Sequence, residues 1–209
     1  YWQSRDKALF RWLAPRLNQR GLHVVFANYP LCPEVSLDQL IAMLAPAVER
    51  AHGLRPGWER LPLVIAGHSA GAHLATEFAL SHGRRETGCG RVDGIWAISG
   101  IYDLQPLCGT TLNQRLQLTL EQARALSPLH RAASLALPAT WLVGAGETTE
   151  FLRQNRGMHE AWKGLGNWSQ CVEAPDADHF TVLRDWDAME HGLRGAWDAW
   201  WSQVLQRHA

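Results

Sequence analysis

Short apolar runs recur along the chain, and segments of helical periodicity separate each run from the next. Nearly continuous apolar runs are typical of strands that are covered on both faces, as in a parallel sheet. The predicted strands are residues 22–28, 61–66, 92–98, 140–143 and, as a weaker candidate, 168–173. Strand and helix patterns therefore alternate over most of the 209 residues.

The segments between the predicted strands carry apolar residues three and four positions apart, which places them on one face of a helix. Leu9, Leu13 and Leu17 begin this pattern, and Gly21 can end the first helix. Further helical patterns cover residues 37–48, 70–80, 151–162 and a tryptophan-rich tail at 193–205, which we expect to dock as a closing helix. The alternation predicts an α/β fold class, with one domain over residues 1–209 and a doubly wound, mostly parallel sheet.

Residues 103–134 depart from this rhythm because they form a long, leucine-rich stretch between two predicted strands. Long connections in compact domains are often functional lids. We therefore expect either a cap over the active-site edge or a plain connecting helix.

Charge and composition narrow the classes of partner. Twenty basic and twenty acidic side chains cancel, and no run of like charge stands out. A chain without a basic field is not suited to hold nucleic acid or an anionic membrane, so neither is expected as a partner. The ten histidines form no His-x-x-x-His or His-Glu-x-x-His pattern, and we predict no metal site and no cofactor.

The four cysteines are widely spaced and include no Cys-x-x-Cys pair: Cys32, Cys89, Cys108 and Cys171. Free thiols are usual in a reducing compartment, which favours a cytoplasmic location. Most of the eleven tryptophans are expected in the core, with one or two lining an aromatic pocket.

A Gly-x-Ser-x-Gly motif, Gly67-His-Ser-Ala-Gly71, stands between a predicted strand and a predicted helix. In that context Ser69 would occupy a sharp turn with its hydroxyl exposed, and side chains at the two glycines would collide with neighbouring backbone. The N–H of Ala70 would then point at a developing oxyanion, helped by the helix N-terminus. This spacing predicts a serine nucleophile.

A base and an acid are expected after later strands, in the order serine, acid, histidine. His179 follows the last predicted strand and is the candidate base. Glu147 and Glu150 both follow the preceding strand, and Glu147 is favoured because it lies nearer the strand end. Asp176 and Asp178 remain alternatives, although both lie close to His179 in sequence.

Together these segments resemble the α/β-hydrolase form of kynurenine formamidase (arylformamidase), a group close to the hormone-sensitive-lipase-like esterases. The segments that carry the resemblance are residues 1–3, 28–34, 67–71, 98–104, 127–129, 144–154 and 178–180. The more specific parts are Ile-Tyr-Asp-Leu at 101–104, Leu112-Asn113 and Glu-Phe-x-x-Gln at 150–154. The resemblance implies the α/β-hydrolase fold.

Three features depart from that family's pattern. The family motif reads His-Gly-Gly-Tyr-Trp, and this chain begins at its Tyr. We therefore expect the sheet to lack its N-terminal strands and the site to lack the oxyanion donors that those glycines would supply. The acid is more often Asp than Glu, and Ala72 stands where Gly is usual.

The resemblance implies a serine hydrolase that converts N-formyl-L-kynurenine to formate and L-kynurenine through an acyl-serine intermediate. Its triad would be Ser69, Glu147 and His179, and its substrate a small molecule. Tyr1, Trp2 and Tyr102 would form an aromatic wall beside His68, with core packing as the alternative for the three aromatic residues. A short-chain carboxylesterase and a non-catalytic binding protein remain rival functions, and a homodimer is a candidate assembly.

Overall fold

The computed structural model describes residues 1–84, 90–188 and 192–208, so Cys89 lies outside the described residues. Within them, four strands form one parallel sheet in the order β1-β2-β3-β4. The strands are β1 Val64–His68, β2 Gly94–Ile98, β3 Ala139–Gly144 and β4 Ser169–Ala174. The parallel sheet is confirmed, and each strand begins and ends within three residues of a predicted apolar run.

Helices connect the strands and close the chain. They are α1 Ala14–Gln19, α2 Leu37–Ala42, α3 Leu44–His52, α4 Ala70–His82, α5 Asn113–Leu116, α6 Leu120–Ala125, α7 Thr149–Gly164, α8 Val182–Ala188 and α9 Leu193–His208. Short 3-10 turns lie at Lys7–Leu13, Trp58–Arg60, Gln105–Gly109 and Pro128–His130. In the described parts of the chain, none of the helices has the length and apolar character needed to cross a bilayer.

Both faces of the sheet are covered. Strand β2 shows why a strand in this position needs a continuously apolar sequence. Successive side chains of a strand point to opposite faces. Ile95 and Ala97 face the core that contains α4 and α7, while Trp96 and Ile98 face the core that contains α8 and α9. All five residues of β2 are buried, and the doubly wound arrangement follows.

The tryptophan-rich tail forms α9 and packs on the sheet, as its sequence predicts. Trp96 lies at the centre of an aromatic cluster, with ring centroids 5.0 Å from Trp197 and 5.1 Å from Trp200. Arg207 then fixes the end of the helix by donating to the carbonyl oxygens of Gly83 and Val92. Most of the tryptophan surface is used in core packing.

The prediction of a strand at residues 22–28 is wrong. Leu22, Val24 and Phe26 do point inward, and the residues between them are exposed, so the two-residue alternation is real. No ladder partner pairs with the segment among the described residues. A cavity of about 1220 Å³ lies between it and β1. Apolar alternation sets which side chains turn inward, but a strand also needs a hydrogen-bonded neighbour.

The leucine-rich stretch at 103–134 contains α5, α6 and two 3-10 turns. Its Leu104, Leu107 and Leu116 join a buried cluster with Trp2 and Leu40. The segment therefore packs beside the first residues of the chain. Its role as a cap stays a prediction.

Candidate active site

The polar residues of the site follow the carboxyl ends of the four parallel strands, which meet at one edge of the sheet. Ser69 directly follows β1, and Ser99 directly follows β2. Glu147 lies in the turn after β3, and His179 lies in the loop after β4. In open α/β sheets this edge is where ligands usually bind.

Ser69 occupies the sharp turn that the motif predicts. Its backbone has φ 56° and ψ −121°, a combination that residues other than glycine rarely adopt. The Ser69 N–H donates to the carbonyl oxygen of Ile98 at 2.8 Å, which ties the turn to β2. A Cβ on Gly67 would lie 2.1 Å from the carbonyl oxygen of Gly71, so only glycine fits there.

The second glycine of the motif has a different status. A Cβ on Gly71 would meet nothing within 4 Å. The expectation that both glycines avoid a collision is therefore wrong for Gly71. It lies in the first turn of α4, where its Cβ position opens onto free space.

Ala70 is the first residue of α4, a 13-residue helix that begins directly after Ser69. The first N–H groups of a helix have no partner within it, and the helix dipole places partial positive charge there. The N–H of Ala70 is thus a donor beside the serine, as an oxyanion site requires.

Glu147 and His179 form the central pair of the site. The His179 Nδ1 lies 2.6 Å from Glu147 Oε2, and the Glu147 side chain is only 1% exposed. An ionised carboxylate accepts hydrogen bonds and does not donate them. The proton of neutral His179 therefore resides on Nδ1, which leaves Nε2 with a free lone pair.

The other carboxylate oxygen of Glu147 is also held. Ser99 Oγ donates to Glu147 Oε1, and the Gly144 N–H donates to the same oxygen at 3.0 Å. Burial by itself raises the pKa of Glu147, but the hydrogen bonds from His179, Ser99 and Gly144 outweigh it. The pKa of Glu147 therefore lies below its usual value, and the carboxylate is ionised at neutral pH.

Glu150 is placed elsewhere, in the first turn of α7. Its carboxylate accepts from Arg153 Nε at 2.8 Å and from Gln154 Nε2 at 2.7 Å. Gln154 Oε1 in turn accepts the backbone N–H groups of Tyr102 and Asp103. This network fastens the loop after β2 to α7 and does not reach His179.

The two aspartates before His179 also lie apart from its imidazole. Asp178 Oδ1 accepts the backbone N–H groups of Phe180 and Thr181, each at 2.8 Å, and so caps the turn that carries His179. Asp176 is exposed, in a left-handed turn with φ 58°. Neither carboxylate hydrogen-bonds to His179.

His68 directly precedes Ser69 in sequence and contacts His179. Its Nε2 lies 2.6 Å from the carbonyl oxygen of His179, and the two rings are 4.6 Å apart. Because a carbonyl oxygen only accepts, His68 Nε2 carries the proton. Burial, and then the charge of His179, lowers the pKa of His68 to about 4, so this ring is neutral at pH 7.

Ser69 and His179 open onto the same cavity, together with Tyr1, His68 and Phe180. Tyr1 is 40% exposed and Phe180 is 59% exposed. Among the described residues no hydrogen bond joins Ser69 Oγ to the His179 imidazole. Such contacts are often long in free enzymes and tighten when substrate binds.

The expected aromatic wall forms only in part. Tyr1 lines the cavity, and Trp2 reaches it from a fully buried position, with its ring edge-on to His73 at 4.9 Å. Tyr102 is fully buried and packs edge-on to Trp141 at 5.2 Å, away from the cavity. For Tyr102 the core-packing alternative is therefore the correct one, because the loop after β2 directs its ring into the core.

Three neighbours of the site were not singled out in the sequence. Ser99 contacts Glu147, and the Phe151 and Phe180 rings lie 4.7 and 5.3 Å from the His179 ring. All three lie in segments that carry the family resemblance, and Ser99 also directly follows a predicted strand, as Ser69 does.

Comparison with known proteins agrees with this geometry. The α/β-hydrolase-fold family matches residues 4–183. Kynurenine formamidase of Danio rerio is 28% identical over 188 residues, which is 88% of this chain and 64% of that protein. The chain therefore spans less than two thirds of the length of this relative.

Solved structures give the same fold. A Silicibacter sp. TM1040 protein, provisionally assigned as a thioesterase, superposes with a TM-score of 0.77 at 30% identity, over 90% of this chain and 68% of that one. An esterase of Thermogutta terrifontis gives a TM-score of 0.70 at 23% identity, over 95% of this chain and 76% of that one. With its parallel sheet, its elbow at Ser69 and these matches, the chain belongs to the α/β-hydrolase fold family.

Proposed function

We propose that this protein is a serine hydrolase of the arylformamidase type, with Ser69 as nucleophile, His179 as base and Glu147 as orienting acid. The observation that carries the proposal is the 2.6 Å contact between the buried Glu147 carboxylate and His179 Nδ1. His179 lines the same cavity as Ser69, which sits on its strained turn. This is the arrangement that nucleophilic acyl transfer requires.

In the first half of the reaction, Ser69 Oγ attacks the carbonyl carbon of the formyl group. His179 Nε2 takes the proton of Ser69, and the Glu147 carboxylate stabilises the resulting imidazolium. The carbonyl oxygen becomes an oxyanion, and the Ala70 N–H at the start of α4 donates to it.

Collapse of this intermediate breaks the carbon–nitrogen bond. His179 gives its proton to the departing aryl amine nitrogen, and a formyl ester of Ser69 remains. A water molecule, deprotonated by His179, then attacks that ester. Formate leaves, and Ser69 recovers its proton from the imidazolium.

The neutral state of His68 suits this cycle. His179 becomes positively charged in each half-reaction, and His68 lies with its ring 4.6 Å away. With a pKa of about 4, His68 adds no second positive charge beside the imidazolium. It donates to the His179 carbonyl oxygen instead.

The substrate class rests on two supports. The chain is similar to kynurenine formamidases over most of its length. The cavity mouth carries the exposed aromatic rings of Tyr1 and Phe180, against which an aryl ring can pack. An aryl formamide such as N-formyl-L-kynurenine meets both conditions.

The test compares kcat/KM for N-formyl-L-kynurenine with kcat/KM for p-nitrophenyl acetate and butyrate. We expect turnover of the formamide, and its loss in Ser69→Ala. Ser81→Ala is the matched control, because Ser81 is an exposed serine on the same helix. Turnover of both esters without the formamide would make the protein a carboxylesterase. A folded wild-type protein that hydrolyses none of the three would be a binding protein.

A further inference from the structure

Ser99 is fully buried at the end of β2, in a backbone conformation that is unusual for serine. Its φ is 49°, in the left-handed region where glycine is favoured. Its N–H donates to the carbonyl oxygen of Leu142 at 2.7 Å, which fixes that conformation. A glycine would satisfy the backbone equally well, so the hydroxyl needs an explanation of its own.

The hydroxyl of Ser99 has one partner, and that partner is the acid of the proposed triad. Ser99 Oγ donates to Glu147 Oε1. The same oxygen accepts the Gly144 N–H at 3.0 Å, while Oε2 faces His179 Nδ1 at 2.6 Å. Three donors from three separate strand ends therefore hold the carboxylate.

We propose that Ser99 is a positioning residue for catalysis: its hydroxyl locks the Glu147 carboxylate in the orientation that serves His179. The inference rests on the proposed triad. A glutamate has one more rotatable bond than an aspartate, so its carboxylate needs more fixing to hold one orientation. With Oε1 tied to Ser99 and Gly144, only Oε2 remains for the imidazole.

The hydrogen bond from Ser99 also affects the charge state of Glu147. Donors to a carboxylate favour its ionised form. Among the described residues, the titratable groups that interact electrostatically with Glu147 are His179, His68, Tyr1 and Tyr102, on four different segments. None of them donates to Oε1, so none replaces the Ser99 hydroxyl when it is removed.

The test uses two variants, Ser99→Ala and Ser99→Gly, assayed for hydrolysis of the best substrate across pH. Hydrogen bonds to charged groups are among the stronger ones, so we expect kcat to fall about 10-fold or more. KM should change little, because Ser99 is fully buried and does not line the cavity. The acid limb of the kcat/KM profile should move to higher pH, because the pKa of Glu147 rises when its carboxylate loses a hydrogen-bond donor.

The Ser99→Gly variant distinguishes the effect of losing the hydroxyl from an effect on the backbone conformation. It removes the same hydrogen bond but suits the positive φ, so it should fold at least as well as wild type and still show the kinetic defect. Ser127→Ala is the matched control. Ser127 is fully buried and its hydroxyl bonds the backbone of Ala123 and Leu104, apart from Glu147.

The outcomes separate this inference from the proposed function. If Ser69→Ala is inactive while both Ser99 variants keep wild-type kcat and the wild-type acid limb, Ser99 does not position the acid. A kinetic defect of equal size in Ser127→Ala, with the same shift of the acid limb, would also overturn the inference. Full turnover in Ser69→Ala would overturn both the triad and the role of Ser99.

Discussion

The imidazole of His68 donates from Nε2 to the carbonyl oxygen of His179 at 2.6 Å, so the residue before the proposed nucleophile holds the backbone of the proposed base. This hydrogen bond joins the last residue of β1 to the loop after β4, across 111 residues of sequence. The spacing of nucleophile and base therefore depends on a side chain outside the proposed triad.

We expect His68→Phe to lower kcat about 10-fold, because it removes the hydrogen bond that positions the His179 backbone. His68→Gln should keep most of the activity, since its amide can donate to the same oxygen. Steady-state kinetics on both variants, with circular dichroism to check folding, measures the difference. Equal activity in the two variants would mean that the hydrogen bond does not matter.

The acid can be identified by charge removal at the two glutamates. Glu147→Gln should lower kcat about 10³-fold or more, because the imidazolium loses its buried counter-charge and the Nδ1 tautomer is no longer enforced. Glu150→Gln is the matched control, and we expect near-wild-type turnover, since Glu150 pairs with Arg153 on the surface. A larger loss in Glu150→Gln than in Glu147→Gln would reverse the assignment.

Two histidines, the fully buried His73 and the partly buried His68, make stability depend on pH. Burial is the main cause that lowers the pKa of both His68 and His73 to about 4, against an ordinary value near 6.5. Between these pH values the unfolded chain binds more protons than the folded one, so stability falls as pH drops from 6.5 towards 4. Each histidine contributes a loss of roughly 3 kcal/mol over that window.

Urea unfolding at pH 7, 6, 5 and 4 measures this slope. His73→Gln is the informative variant, because its amide can still donate to the carbonyl oxygen of Leu126, which His73 Nε2 contacts at 2.9 Å. The variant should lose the His73 share of the pH dependence, roughly 3 kcal/mol, while keeping its stability at pH 7. An unchanged slope in His73→Gln would contradict the assignment to this ring.

The two motif glycines should respond differently to alanine. Gly67→Ala places a Cβ against the backbone of Gly71, and we expect about 3 kcal/mol of destabilisation. Gly71→Ala meets open space and gains helix propensity, so its stability should rise by up to about 1 kcal/mol. Thermal unfolding of the two variants tests this difference. A similar fall in Tm for Gly67→Ala and Gly71→Ala would show that the turn tolerates a side chain at neither glycine.

Much of this architecture could be predicted from the sequence. Continuous apolar runs such as residues 92–98 indicated strands that are buried on both faces, because both period-two faces of a parallel strand must be apolar. Gly-x-Ser-x-Gly after such a run indicated the sharp turn at Ser69, since the first glycine of the motif has no room for a side chain. His179 followed from chain order alone.

The tertiary structure decided the rest. Residues 22–28 alternate like a strand but have no ladder partner among the residues that the structure describes, and strand pairing depends on residues that are distant in sequence. Only the fold shows that Glu147 contacts His179 and Glu150 does not, and that the loop after β2 turns Tyr102 into the core. Ser99 became a neighbour of Glu147 only when β2 and β3 paired. Sequence patterns record local periodicity and chain order, whereas hydrogen bonds across 32 to 111 residues exist only once the strands are side by side.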